Sequence, residues 1–233
     1  MFPRLVRLRR DLLDTTRARR LKRMGEALTR LRSALPPTSQ WIDELLAVHE
    51  SGSTPVSELG YAGLSACFPS SLLRATRVAM VRRVPFPPVS AFGLPELEAM
   101  ARMPLAGITF RDLYFVDELL PFEHIHFHEL VHVIQWRTLG FDDFLLTYGA
   151  NVLLHGTTRS PLEALALDLE ARFKRGARLP DIPEWVAREA LRARESAAAA
   201  FRACGLDFSA LPAEPAVDPG AAADRSTPPS VTG

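Results

Sequence analysis

The sequence predicts a mostly α-helical α+β domain in which a short sheet packs beside one central helix. Three observations carry that expectation. Apolar residues recur at steps of three and four over much of the 233-residue chain, the period of a helix with one buried face. Only two stretches, Arg74–Pro85 and Gly107–Val116, have the β-branched and aromatic content of strands. The segment Phe122–Trp136, FEHIHFHELVHVIQW, is apolar on nearly every side with one polar strip, the pattern of a helix buried inside a fold.

Composition narrows the class. Hydrophobic residues make up 47% of the chain, enough for a substantial core in one domain with appendages. Cys67 and Cys204 lie far apart with no C-x-x-C, so they read as reduced thiols and the protein as cytoplasmic. No apolar run approaches the roughly 20 residues of a bilayer span, and residues 1–10 lack the apolar core of a secretory signal. Neither G-x-x-x-x-G-K-[ST] nor G-x-G-x-x-G occurs, so no nucleotide cofactor is expected. The net charge of +1 is unevenly spread. Residues 1–37 hold 11 basic and three acidic residues, a balance of +8, and the remainder holds 17 and 24, a balance of −7.

Taken in order, residues 1–37 read as a basic amphipathic helical arm. Leu21, Met24, Leu28, Leu31 and Leu35 form one face, Asp14-Thr15-Thr16 is a place for a break, and Pro36-Pro37 is expected to end the helix. The Leu face is expected to pack on the body and leave the basic face solvated. A second use of the arm is to bind an acidic partner or a membrane surface through Arg17, Arg19, Arg20, Lys22 and Arg23. The main domain spans 38–205. It begins with a short helix from Ser39, followed by the strand Arg74–Pro85, whose Arg77, Arg82 and Arg83 should face solvent, and a helix over Leu94–Met103. The strand Gly107–Val116 precedes the central helix, and Gly140 is placed to stop that helix. Phe141–Leu154 reads as an apolar helix or helix pair interrupted near Gly149. Ser160-Pro161-Leu162-Glu163 opens another helix as a capping box, and Pro183-Glu184 opens the last. Residues 206–233 are rich in Pro, Ala, Gly, Ser and Thr and should be disordered.

The chemistry sits in the central helix. His128-Glu129-Leu130-Val131-His132 is a complete H-E-x-x-H. Residues four apart share a helix face, so the two imidazoles can hold one Zn²⁺ at roughly 2.0–2.1 Å each. Glu129, rotated by one residue, stands beside the metal, where it can accept a proton from a polarised water. A catalytic zinc takes a third protein ligand, and none follows within the next turns. Glu163, 31 residues after His132, is the first choice, although a capping-box role competes for it. Glu170, one heptad later on the same face, is the runner-up. Asp168 is placed to orient a ligand histidine through its second ring nitrogen. His124 shares the stripe but cannot reach the same ion on a straight helix. His126 and His155 are weaker cleft candidates, and Tyr148 is a possible donor to a developing oxyanion.

The residues HELVHVIQW, an LG pair, a Phe/Tyr-containing helical stretch and PLEALALDLEARF together resemble the gluzincin class of zinc metallopeptidases. They are similar in particular to the minimal metallopeptidase-like domain found around bacterial contractile-injection systems. The resemblance covers about Gly107–Phe173 and implies a zincin-like fold. It implies a peptide or protein substrate, His128, His132 and Glu163 as zinc ligands, and Glu129 as general base. Gln135 matches a glutamine that commonly follows the second histidine in that group. The sequence departs from the pattern at Leu167, where many gluzincins place an Asp four residues after the ligand Glu. In gluzincins the strand ahead of the active-site helix often lies along the cleft, where Gly107–Val116 falls here. The alternative function is a metal-binding but catalytically inactive pseudo-peptidase that serves as a partner-binding module.

Overall fold

A computed structural model describes residues 3–209, with side chains from Thr15 onward. The arginines of residues 4–10 and most of the 206–233 tail therefore lie outside the described side chains or residues. The fold is organised around α6 (Glu123–Leu139), in which Phe127, Leu130, Val131 and Val133 are wholly buried although they point in several directions. A helix buried on so many sides needs neighbours on each. A sheet covers one side, and α8 (Pro161–Lys174) and α9 (Ile182–Ala203) cover others. Gly140, at φ 76°, ends α6 as expected and turns the chain straight into α7 (Phe141–His155).

The sheet has the order β1 (Thr54–Pro55), β2 (Arg77–Val81), β4 (Leu113–Asp117), β3 (Gly107–Phe110). Strand β2 pairs with β4 in parallel and the other two pairings are antiparallel. Every residue from Leu113 to Val116 is buried, because β4 is covered on both faces and the period-two pattern disappears. The parallel pairing requires a long connection, which is β3 and its turn preceded by residues 82–106. Their regular structure is a 3₁₀ turn at Pro95–Leu97 and the single-turn helix α5 (Glu98–Ala101). Residues 82–106 form one wall of the cleft described below, and β3 at the sheet edge forms another.

Several elements differ from their sequence-based expectation. The expected strand Gly107–Val116 is a hairpin: β3 and β4 pair with Gly107 opposite Val116, and Arg111 takes a left-handed φ of 58° at the turn. Helix α1 (Pro3–Ser33) runs unbroken through Asp14-Thr15-Thr16. Pro36 and Pro37 do not end it; they occupy the first turn of α2 (Leu35–His49), where a missing N–H costs nothing. Before β2 stand two short helices, α3 (Ala62–Cys67) and α4 (Ser70–Ala75), the second of which takes the start of the expected strand Arg74–Pro85 and leaves β2 shorter. Arg77 does not face solvent: its guanidinium donates to the Ser53 hydroxyl and carbonyl and ties β2 to the loop after α2. The Leu94–Met103 helix shrinks to the turns noted above.

Helix α7 is not interrupted at Gly149. A Cβ there would lie 2.5 Å from Leu31 Cδ1, so the glycine marks the close approach of α1 to α7. Leu28, Leu31 and Leu35 are buried at that contact, as the Leu face predicts, whereas every residue from Thr15 to Arg23 is exposed. Among the described residues no helix is long and apolar enough to cross a membrane.

Candidate metal centre

The H-E-x-x-H spacing does on α6 what helix geometry requires. His128 Nε2 and His132 Nε2 face each other at 3.1 Å. Glu163, in the first turn of α8, brings Oε1 to 3.6 Å from His128 Nε2 and Oε2 to 3.4 Å from His132 Nε2. Three ligands placed tetrahedrally at roughly 2.0–2.1 Å from one ion stand about 3.3 Å from each other. The observed separations match that triangle, so His128, His132 and Glu163 can hold a metal ion.

The other ring nitrogens are occupied, which fixes the tautomers. His132 Nδ1–H donates to Gln135 Oε1 at 2.8 Å, and Gln135 Nε2 donates to the Leu162 carbonyl at 3.0 Å. One buried amide thus orients His132 and pins the turn that carries Glu163. His128 Nδ1–H donates to Glu170 Oε2 at 3.1 Å. Both Nε2 lone pairs are left to point at the shared position, and such partners are what keep a ligand imidazole in register.

These contacts correct several sequence-based assignments. Glu170, the runner-up ligand, falls outside the group that could hold an ion; it orients His128 and sits 3.8 Å from His124 Nε2. Asp168 does not orient a histidine but pairs with Arg172 on the outer face of α8 at 2.8 Å. The position where the resemblance leads one to seek an Asp, Leu167, is exposed, and the longer side chain of Glu170 does the orienting from further along the helix. The capping box does not form: Ser160 makes no side-chain cap bond, its buried hydroxyl has no partner, and Glu163 turns to the histidines instead. His126 is not in the cleft. It is buried with its Nδ1 accepting from the Tyr114 hydroxyl at 2.9 Å, and burial lowers its pKa to about 4. His155 is exposed at the end of α7 and does not line the cleft.

The donors are coupled electrostatically. Burial pulls the His132 pKa down, but the hydrogen bond and charge of Glu163, with the charge of Glu129, outweigh it and raise the pKa to about 9. Burial pushes Glu163 up, and the hydrogen bond and charge of His132, with His128 and the Tyr148 hydroxyl, overcome this and bring it to about 2. Without a metal, then, His132 carries a proton that the Glu163 carboxylate neutralises. A metal ion held by the three residues would take the place of that proton.

Glu129 is held apart from the triad by β3. Its Oε2 accepts from Thr109 Oγ1 at 2.6 Å, and a Cβ at Gly107 would lie only 2.5 Å from its Oε1. Burial raises its pKa, against the lowering effects of His128, His132 and Thr109. A carboxylate so placed takes up a proton more readily than an exposed one. Tyr148 donates to Glu163 Oε2 at 3.3 Å. Burial, then the charge of Glu163, keeps this phenol protonated far into alkaline pH.

Sequence reasoning missed Gly107 and Thr109 as site residues. The one available signal was that they sit two apart, on one face of the strand ahead of the helix. The same cleft opens into a cavity of about 430 Å³ bounded by β3, α1, α7 and the 82–106 connection. The chain matches no protein-family model, no curated protein and no solved structure.

Proposed function

We propose that the protein is a zinc-dependent peptide hydrolase of gluzincin type. The observation that carries this reading is the triangle of His128 Nε2, His132 Nε2 and Glu163 with a separate buried carboxylate, Glu129, beside it. Two imidazoles and one carboxylate form the donor set of a catalytic zinc site that keeps an open fourth position. Bound there, zinc supplies Lewis acidity, which polarises a carbonyl and lowers the pKa of water toward about 7.

The protein's own groups do the rest. Glu129 accepts a proton as water oxygen bonds to the substrate carbonyl carbon. It returns that proton to the amide nitrogen as the C–N bond breaks, leaving a carboxylic acid and an amine. Its raised pKa favours the step in which the proton is held. Thr109 keeps one carboxylate oxygen fixed, so the other faces the substrate. Tyr148 O–H stands next to Glu163 and is the group available to stabilise the developing oxyanion. Strand β3 is the edge of the sheet and lines the cleft, so an extended peptide can pair with it. The free thiols of Cys67 and Cys204 fit a cytoplasmic location. The exposed run Arg17–Arg23 offers a surface to an acidic partner or membrane.

The test is hydrolysis of a fluorogenic peptide library by zinc-loaded wild type and Glu129→Gln. A rate lower by about 10²–10⁴ in the variant, with zinc content unchanged, is the expected result. Metal binding without any hydrolysis by wild type would instead identify an inactive, partner-binding relative.

A further inference from the structure

The cavity beside the triad has two unlike ends. One is polar and carries His128, His132 and the three carboxylates Glu129, Glu163 and Glu170. The other is apolar and is built by Leu31 and Leu35 from the α1–α2 region, Leu94, Leu97 and Met100 from the 82–106 connection, and Val152 of α7. About 430 Å³ falls within the range of roughly 300–1,000 Å³ typical of pockets that enclose a small-molecule ligand. The space therefore takes a large side chain together with adjoining backbone. Gly149 makes this end possible, since it lets α1 approach closely enough for Leu31 to form the wall.

Charge decides what can enter. Among the described residues lining the cavity there is no lysine or arginine. A free C-terminal carboxylate, or an acidic side chain, would find no basic side chain to pair with and would face three carboxylates. A free N-terminal ammonium would need an uncommitted carboxylate. Glu163 belongs to the triad, Glu129 is held by Thr109, and Glu170 is bonded to His128. A lysine or arginine head carried into the apolar end would be desolvated without a partner.

We propose that the cavity is the specificity pocket for a large aliphatic or aromatic side chain adjoining the cleaved bond, so that the chain acts inside apolar peptide segments and not at their ends. This rests on the peptide-hydrolase reading, because the metal triad at the cavity's polar end defines where the cleaved bond lies. Transfer of a Leu or Phe side chain from water into such a pocket strengthens binding by about 10- to 100-fold over glycine.

The experiment uses the zinc-loaded full chain and a calorimetric titration with the hydroxamates of N-acetyl-Gly, -Leu, -Phe, -Glu and -Lys. The zinc-chelating head is constant, so differences report the pocket. Leu and Phe should bind at least tenfold tighter than Gly, with Glu and Lys no tighter than Gly. The variant Met100→Asp, at a half-buried position of the apolar wall, should erase most of the Leu and Phe gain and leave the Gly compound unchanged. Equal affinity for Gly and Leu, or tight binding of Glu, overturns the proposal.

If the Gly hydroxamate shows no zinc-dependent binding, the peptide-hydrolase reading fails separately. The pocket is then decided on the metal-free chain with chelator-free N-acetyl-Leu-Phe-amide against N-acetyl-Gly-Gly-amide, followed through Trp136, which lines the cavity. A preference for Leu-Phe supports an apolar pocket, and none overturns it.

Discussion

Gly107→Ala is the substitution whose effect is most sharply set by the structure. The added Cβ would stand 2.5 Å from Glu129 Oε1 and 2.9 Å from its Cδ, whereas ordinary contact begins near 3.4 Å. The backbone of Gly107 is paired in β3 and lies outside the left-handed region, so alanine is compatible with it. The glutamate is the part that gives way, by about 0.9 Å at Oε1, and it cannot do so and keep its 2.6 Å bond to Thr109. A misplacement of about 1 Å costs on the order of 10² in rate, within the roughly 10²–10⁴ that a general base supplies. Global stability should fall by about 1–3 kcal/mol, because the overpacked carboxylate and its broken bond to Thr109 outweigh the backbone gain of replacing glycine. The assay is kcat and KM on one fluorogenic peptide, with zinc content and urea unfolding measured on the same preparation. The expected pattern is a kcat lower by about 10² in a variant that stays folded and keeps its zinc content. Unchanged kcat would refute the claim that this glycine exists to admit the carboxylate.

Further outcomes follow from the same geometry. Thr109→Val removes a hydrogen bond that lowers the Glu129 pKa, so the acid limb of the kcat/KM profile should move to higher pH. Gln135→Leu and Glu170→Ala each free a ligand imidazole from its orienting partner and should weaken zinc binding by about 10- to 100-fold, while Asp168→Ala leaves it unchanged, read by competition with a chromophoric chelator. In the metal-free protein, the raised His132 pKa contributes stability that is full below about 6.5 and lost as pH rises toward about 9. The lowered Glu163 pKa contributes stability present above about 4.5 and lost as pH falls toward about 2. The stability difference between wild type and Glu163→Gln should therefore peak between about pH 4.5 and 6.5, measured by unfolding across pH. Zinc must displace the His132 proton, so its apparent affinity should fall about tenfold per pH unit below 9.

What the sequence made legible was what local periodicity encodes. The H-E-x-x-H spacing placed both imidazoles on one face, Gly140 stopped the helix, and the Leu21–Leu35 stripe marked the face of α1 whose later residues are buried. Glu163 was identified as a ligand candidate from its distance along the chain, and it reaches the histidines in space. The failures were of two physical kinds. Turn chemistry hid the β3–β4 hairpin, because Arg111 adopts a left-handed φ that arginine does not advertise. Tertiary competition overruled local rules at Ser160 and Glu163, where the two histidines of α6 drew the glutamate out of its capping box. The choice between Asp168 and Glu170 was of the second kind: both are carboxylates near the right place, and only the rotation of α8 against α6 decides which one meets His128. For Gly107 the sequence offered only its place two residues before Thr109 on one strand face; its role rests on what lies 2.5 Å from its missing side chain.

The measurement that bears most directly on the central claim is zinc stoichiometry and affinity in protein purified without chelators or metal-affinity resin, for wild type, His132→Ala and Glu163→Ala. The account predicts one zinc per wild-type chain and loss of the tight site in both variants. No zinc uptake by the wild type, or wild-type affinity retained in Glu163→Ala, would contradict it.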